Sequence, residues 1–211
     1  MSFSKKIKIS ICVSMIVAII FSICSFAKTS EQIRSDVLRL HVIANSDSSV
    51  DQNLKIRLRD FLLEEGKSIF DGSVNVENAV KKIEPQIPAL EKSAKEFIRA
   101  SGFDYDVKIS LSREYFTTRT YETVTLPAGK YLALRVVIGS GEGHNWWCVM
   151  FPPMCVPAAD KKDEIENIFT EDEIKLVESS PKYEIRFKVV EICEGIKESL
   201  NEKFRQARRI V

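Results

Sequence analysis

An uncharged apolar run near the amino terminus, residues 9–26, constrains this chain more than any other feature. Three lysines within residues 5–8 precede the run, and the small-x-small triplet Ser25-Phe26-Ala27 ends it. A basic start, an apolar stretch and a small-residue exit are the parts of an export signal. At about 18 residues, the run is also just long enough to span a bilayer as a helix. The sequence therefore predicts either cleavage after Ala27 or retention of this segment as a single membrane anchor.

The same run divides the chain into residues 1–27 and an exported domain, residues 28–211. Positive charge before an apolar segment keeps that end in the cytoplasm, so we expect the domain to lie outside it. Of the 31 basic residues, three precede the run, and the exported part therefore carries 28 basic and 30 acidic residues, a net charge of −2. This balance creates no long-range field for nucleic acid, and we expect no nucleic-acid partner.

Apolar spacing predicts one strand and two helices in the first half of the domain. The segment "VLRLHVIAN", residues 37–45, alternates like a strand, with its even-numbered apolar residues on one face. Polar side chains in residues 45–52 are suited to cap a helix. Apolar residues then recur at three- and four-residue steps through residues 54–69 and 76–98, as on the buried face of a helix. Two prolines within residues 85–88 are expected to kink the second helix.

Strand patterns dominate the second half of the chain. Residues 104–112, 115–127 and 130–139 are rich in β-branched and aromatic side chains, which favour strands. Their connections are too short for helical crossovers, which indicates an antiparallel meander. Residues 145–151 extend the sheet, and a helix is expected from residue 185 onward. The predicted class is α+β, a mainly antiparallel sheet with helices packed on one face, after the amino-terminal signal or anchor helix.

Cys148 is a candidate nucleophile in an exported thiol hydrolase, which would be one function for this chain. A nucleophilic cysteine needs a base, and either His144 or His41, oriented by Asn45 or Asp47, could serve. Four residues of extended strand separate His144 from Cys148 by roughly 13 Å, which is too far for a direct contact. Bulky apolar neighbours of Cys148 favour a buried, inert thiol. We therefore expect no catalytic residue.

Metal and cofactor sites have little support in the sequence. Zinc takes about four histidine, cysteine or carboxylate ligands with paired spacing, and this chain has two histidines in total. Asp47 and Asp51 could bind calcium, but helix capping explains both residues. The chain has no GxGxxG, P-loop, HExxH or GxSxG motif, so we expect neither a metal nor a cofactor, and no small-molecule substrate.

The cysteines of the exported domain allow one short disulfide. Cys148 and Cys155 flank Pro152-Pro153, which would turn the chain back on itself. Oxidation is chemically possible outside the cytoplasm. The alternative is a pair of free, small apolar side chains, and Cys193 fits the apolar face of the last helix.

The adjacent Trp146 and Trp147 lie on the predicted strand at residues 145–151. Neighbours on a strand point to opposite faces, so one ring can enter the core while the other is exposed or lies under a loop. An exposed tryptophan beside a glycine-rich turn is a frequent docking anchor. The alternative is that helices cover both rings. His41 is expected to be a hydrogen-bonded strand histidine.

Two long motifs in this chain resemble the signature blocks of the stage II sporulation protein R family. They are "LRLHVIANSDSSVDQNLKIRLRD", residues 38–60, and "GEGHNWWCVMFPPMC", residues 141–155. The order of parts is similar as well, from an export signal to a terminal "IRFKVVE", and the resemblance covers roughly residues 36–205. The family more often has glutamine at the position of His144, which argues against a catalytic role for that histidine.

The resemblance implies a function that composition does not indicate. Proteins of this family are made in the forespore and exported into the space between the forespore and mother-cell membranes. There they trigger a membrane-embedded aspartic protease, which cleaves the precursor of the sigma-E transcription factor. The chain would then be a signal and not the protease, with a membrane contact through residues 9–26 if that segment is kept.

On this basis we expect the two motifs to form a docking surface for the protease. An exported thiol hydrolase using Cys148 and an anchored structural protein of the envelope are the alternatives. The docking residues are expected to be Trp146, Trp147, His144 and Asn145, with His41, Asn45 and Asp47 on a nearby loop.

Overall fold

The computed structural model describes residues 3–121, 124–153, 168–178, 187–192, 194–196 and 199. Five α-helices in this part of the chain are α1 (Phe3–Ser35), α2 (Ser49–Phe70), α3 (Val76–Ile83), α4 (Ile87–Ala100) and α5 (Glu171–Glu178). Six strands are β1 (Leu38–Ile43), β2 (Val107–Phe116), β3 (Arg119–Tyr121), β4 (Val124–Leu126), β5 (Gly129–Ile138) and β6 (Asn145–Phe151). A 3-10 turn, Glu84–Gln86, joins α3 to α4. Residues 187–192 and 194–196 are also helical.

Helix α1 contains the apolar run and continues without a break past Ala27. Its segment Lys5–Ser35 is long and apolar enough to cross a membrane. Apolar side chains from Ile7 to Ile23 are exposed, whereas Phe26 and Ile33 are buried. The helix therefore has an apolar, uncovered first part and a last part that packs against the domain.

The four main strands form one mixed sheet in the order β2-β5-β1-β6. Strand β5 pairs antiparallel with β2 and parallel with β1, and β6 pairs antiparallel with β1. Strands β3 and β4 form a separate two-stranded sheet. The α+β class is confirmed, but the expected three-strand meander is wrong. Strand β2 pairs directly with β5, while most of the middle run, residues 115–127, forms the separate β3-β4 sheet. In addition, β1 lies between β5 and β6, about 90 to 110 residues away in the chain, a pairing that no local pattern shows.

Helices α2, α3 and α4 cover one face of this sheet. Alternating residues of β1 (Leu38, Leu40 and Val42) point to this face and pack against the apolar sides of the three helices. We call this apolar cluster the first core. Gly66 allows α2 to lie close to β6, since a Cβ added there would be 2.9 Å from Cε of Met150. The predicted helical layer is therefore present on this face of the sheet.

A second apolar cluster, which we call the second core, covers the opposite face of the sheet. The sequence analysis did not predict this cluster. The end of α1, the β3-β4 hairpin, α5 and the helical residues 187–190 contribute to it. As a result, every residue of β1 is buried, as is usual for a strand covered on both sides. The buried positions of this second face include Arg39 and His41.

Helix ends follow the capping signals in the sequence. The Ser48 side chain accepts a hydrogen bond from the amide of Asp51 at the start of α2. At α5, Glu173 accepts bonds from both the amide and the hydroxyl of Thr170, which is the reciprocal half of a capping box. The predicted kink between α3 and α4 is confirmed as the 3-10 turn that contains Pro85.

Candidate functional site

The pairing of β1 with β6 brings the two motifs of the sequence onto neighbouring strands. His41 lies opposite Trp147, Val42 opposite Trp146, and Ile43 opposite Asn145. The chain leaves β1 and enters β6 at the same end of the sheet, so the loop after β1 meets the glycine-rich loop before β6. Motifs about a hundred residues apart therefore form one continuous region.

Asn45 joins these two loops. Its side-chain oxygen accepts a bond from the amide of Ser140 at 3.0 Å, and its carbonyl oxygen accepts one from the Ser140 hydroxyl at 2.8 Å. Gly139 has a φ of +55°, and any Cβ there would overlap the Asn45 oxygen. A side chain at residue 139 would thus be strained both by the backbone angle and by this contact. Glycine is required here so that the two loops can approach.

The buried Asp51 carboxylate fixes the loop after β1 from below. Asn45 donates a bond to it at 2.9 Å and the Ser46 hydroxyl donates one at 2.6 Å. Desolvation acts to raise the pKa of Asp51, but hydrogen bonds from Ser46, Asn45, Tyr105 and Ser48 together lower it. This carboxylate is therefore a structural acceptor. Among the described residues, no group of three or more His, Cys, Asp or Glu side chains could hold a metal ion.

Asp47 and His144 bridge the two loops on the outer surface. The Asp47 carboxylate accepts a bond from the His144 amide at 2.6 Å and also contacts Nδ1 of its ring. Desolvation acts to raise the pKa of Asp47, but its hydrogen bonds with His144 outweigh this effect and lower the pKa. The side chains of His144 and Asp47 are 76% and 55% exposed. This pair therefore belongs to the solvent-accessible part of the region.

Lys55 supports the glycine-rich loop from inside the domain. It is 3% exposed, and its ammonium donates bonds to Oε1 of Gln52 at 2.5 Å and to the carbonyl of His144 at 2.9 Å. Burial lowers the pKa of Lys55, and the nearby Asp47 carboxylate partly opposes this shift. The position of His144 is thus held both by its contacts with Asp47 and by the buried Lys55.

His41 lies within a polar network on the second face of the sheet. Its Nδ1 contacts the Glu114 carboxylate, and its Nε2 lies 2.9 Å from Oδ1 of Asn145. Glu114 also contacts Nε of Arg135 at 3.1 Å. The ring of His41 stacks on Trp147 with a centroid distance of 3.7 Å. The prediction of a hydrogen-bonded strand histidine agrees with these contacts, which also orient Asn145.

The two tryptophans point to opposite faces of β6, and both are partly buried. Trp146 packs against the first core beneath Arg59, whose guanidinium carbon is 4.5 Å from the ring centroid. Trp147 packs against the second core, with its ring edge-to-face to Phe116 at 4.8 Å. Neither ring is fully exposed, and the exposed residues among those predicted to dock are Asp47, His144 and Asn145. A docking role for the tryptophans stays a prediction.

Cys148 lies in β6 opposite Leu40, is 1% exposed, and belongs to the first core. Its sulfur is in a disulfide bond, while Cys12 and Cys24 are free. The expected partner, Cys155, and the remaining Cys193 lie outside the described residues, so the Cys148–Cys155 pairing stays a prediction. A buried, disulfide-bonded sulfur has no thiolate available to attack a substrate, which opposes Cys148 as a nucleophile.

Arg39 was not singled out from the sequence, although it is fully buried beside the candidate site. It donates bonds to the Cys148 carbonyl at 3.1 Å and to the Tyr121 hydroxyl at 2.6 Å. Its guanidinium carbon lies 4.3 Å from the Phe116 ring and 4.8 Å from the Tyr131 ring. These contacts tie β6 to the β3-β4 hairpin. An arginine within an otherwise apolar strand was the available signal, since such a cation must find buried partners.

The chain was compared with known protein families, curated proteins and solved structures. The model of the family described as stage II sporulation protein R matches residues 34–161. A relative named "Stage II sporulation protein R" from Bacillus subtilis (strain 168) is 35% identical over 123 residues, which cover 58% of this chain and 55% of the relative. The matched region therefore spans little more than half the length of that relative. No solved structure matches this chain. The family model covers more than half of the chain and includes both motifs, so the protein belongs to the stage II sporulation protein R family.

Proposed function

We propose that this protein is an exported signal of sporulation that activates a membrane-embedded aspartic protease by direct contact. It would cross the forespore membrane and act in the space between the two membranes. The activated protease would then cleave the precursor of sigma-E. Family membership and the amino-terminal apolar helix support this proposal.

The observation that carries the proposal is the single surface formed by the two motifs. We define the motif surface as the exposed Asp47, His144 and Asn145 together with the partly buried Trp146 and Trp147, which adjoin them on opposite faces of β6. Exposed polar groups beside partly buried aromatic rings suit a docking site.

Rigid supports below the motif surface favour such a role. The Asp51 carboxylate and the Lys55 ammonium hold the two loops from inside, and the contact of His41 with Asn145 holds the start of β6. Because these groups are already ordered, less conformational entropy is lost when a partner binds. Binding energy can then be used to shift the conformation of the partner.

Activation by contact requires a difference in affinity between two states of the protease. A ligand shifts an equilibrium only by as much as it binds one state better than the other. Moving a receptor from about 1% to about 99% active would need roughly a 10⁴-fold preference for the active state. We propose that the motif surface provides this preference, and that this protein itself cleaves nothing.

Co-expression with the candidate protease and the sigma precursor tests the proposal. Processing of the precursor should depend on the presence of this protein, and processing that is indifferent to it would refute the proposed function. At limiting amounts of protein, His144→Ala together with Asn145→Ala should lower processing by about tenfold or more. Asp104→Ala is the matched control, since the Asp104 side chain is 99% exposed and lies outside the motif surface.

Alanine at Trp146 or Trp147 tests the aromatic part of the same surface. Each variant must first be shown to fold, for example by its urea transition, because both rings also pack against a core. Full activation by a folded Trp147→Ala protein would remove that ring from the docking surface.

The alternative functions have separate tests. A thiol hydrolase would lose all function in Cys148→Ser, whereas a contact signal would keep its activity and lose stability. A purely structural envelope protein would leave precursor processing unchanged when it is absent.

A further inference from the structure

The last turns of α1 form an integral part of the exported domain. Phe26 is 5% exposed, and Ser30 and Ile33 are 0% exposed. These positions recur at four- and three-residue steps and so lie on one face of the helix. By contrast, Phe21, little more than one turn earlier, is 74% exposed. The boundary between uncovered and buried side chains therefore lies between residues 23 and 26, close to the potential cleavage point after Ala27.

Phe26 packs into the second core, where its ring meets Phe187 edge-to-face with a centroid distance of 5.3 Å. Ile33 belongs to the same cluster, together with Val37 and Tyr131. The second side chain before the potential cleavage point, Phe26, is thus a core side chain of the domain.

Arg34 fixes the end of the same helix to the sheet. It is 8% exposed, and its Nη1 donates a bond to the carbonyl of Ala128 at 2.9 Å. Its Nη2 pairs with Glu31 at 2.5 Å and lies 3.8 Å from Glu194. Gly129 has a φ of +146°, and a Cβ there would be 2.5 Å from Cδ of Arg34. Only glycine leaves room for this arginine, so α1 and the start of β5 fit each other closely.

The Arg34 contact and the motif surface lie at opposite ends of β5. That strand begins at Gly129 and ends at Ile138, and the next residue, Gly139, meets Asn45. Ten residues of extended strand rise about 30 Å. A domain held through Arg34 would thus carry the motif surface well away from the end of α1.

We propose that residues 1–27 are retained and that α1 anchors the folded domain in a membrane, with Phe26 and Arg34 joining the anchor rigidly to the domain. The lipid bilayer is the partner of the exposed apolar side chains between Ile7 and Ile23. In the folded protein the bond between Ala27 and Lys28 lies inside a regular helix, between the buried Phe26 and Ser30. Cleavage there would remove Phe26 from the second core and leave residues 28–35 as a short helix that only its own packing through Ile33 and Arg34 would hold.

Size and membrane partition of the exported chain test the retention. The full chain, with an epitope tag at its carboxy terminus, would be produced in an exporting bacterium and compared with Ala27→Leu, which removes the small residue that a signal peptidase would need. We expect both proteins to migrate as the uncleaved 24.0 kDa chain plus tag and to stay in the membrane after an alkaline wash. A shorter soluble product that Ala27→Leu abolishes would overturn the proposal.

A matched pair of phenylalanine variants tests the rigid connection. In detergent, Phe26→Ala should lower the melting temperature of the domain by about 10 °C, whereas Phe21→Ala on the same helix should change it little. Equal melting temperatures for the two variants would refute the connection. Neither experiment measures precursor processing, so both results are independent of the proposed function.

Discussion

The junction between α1 and α5 should make the stability of the protein depend on pH. Asp36 follows α1 and faces Glu173 of α5. Burial and the nearby Glu173 carboxylate raise the pKa of Asp36 from 3.8 to about 6. Glu173 is 1% exposed and accepts two bonds from Thr170. Its side-chain hydrogen bond with Asp36 also raises the pKa of Asp36, which therefore takes up a proton below about pH 6.

The magnitude follows from this shift. A rise of about two pKa units corresponds to roughly 3 kcal/mol, at about 1.4 kcal/mol for each unit. Asp36 is partly exposed, and solvent screening reduces the expected effect to about 1–2 kcal/mol. The folded-state pKa lies above the unfolded one, so the folded state binds the proton more tightly. Protonation therefore stabilises the fold below about pH 4, and this stabilisation is lost as the pH rises through about 6.

Asp36→Asn removes this titration and should stabilise the protein at pH 7.5 but not at pH 4. Urea unfolding of the full chain in detergent can be followed by the fluorescence of Trp146 and Trp147, the two tryptophans of the chain. Asp104→Asn serves as the control, since its side chain is 99% exposed. A gain of the same size at both pH values, or a loss at pH 7.5, would refute the assignment of the proton to Asp36.

Three further variants test local features by thermal or urea unfolding. Gly139→Ala should lower the free energy of unfolding more than Gly72→Ala does. Both glycines have a positive φ, but only a Cβ at residue 139 would overlap a neighbouring atom. Equal losses of about 1–2 kcal/mol would show that backbone strain alone matters. Thr170→Ala should cost about 1 kcal/mol, because it removes the hydroxyl that donates to the buried Glu173 carboxylate, and an unchanged transition would contradict that role. Cys148→Ser should lower the free energy of unfolding by about 2–3 kcal/mol under oxidising conditions, and this difference from wild type should shrink in a reducing buffer. A difference of the same size in both buffers would show that the disulfide does not stabilise the fold.

Features that depend on neighbouring residues could be predicted from the sequence. The apolar helix, the Ser48 cap, the capping box of Thr170 and the turn at Pro85 each arise from a few adjacent residues. The opposite directions of Trp146 and Trp147 follow equally from the two-residue period of a strand. The resemblance also identified the two motifs, although no local pattern indicated that they would meet.

The partners of the buried polar groups could not be predicted, because they are distant in the chain. His41 meets Glu114 across 73 residues, and Arg39 meets the Cys148 carbonyl across 109 residues. These contacts exist only because β1 enters the sheet between β5 and β6, a pairing that depends on the packing of the whole domain.

The sequence by itself determined where most of the helices and strands lie, which segment is apolar enough for a membrane, and to which family the chain belongs. The tertiary structure decided that the two motifs share one surface, that both faces of β1 are covered, and that Phe26 and Arg34 belong to the domain. The physical reason is that secondary structure reflects the periodicity of adjacent side chains. Strand order and the partners of buried charges instead depend on which apolar surfaces, from segments far apart in the chain, pack against each other and exclude water.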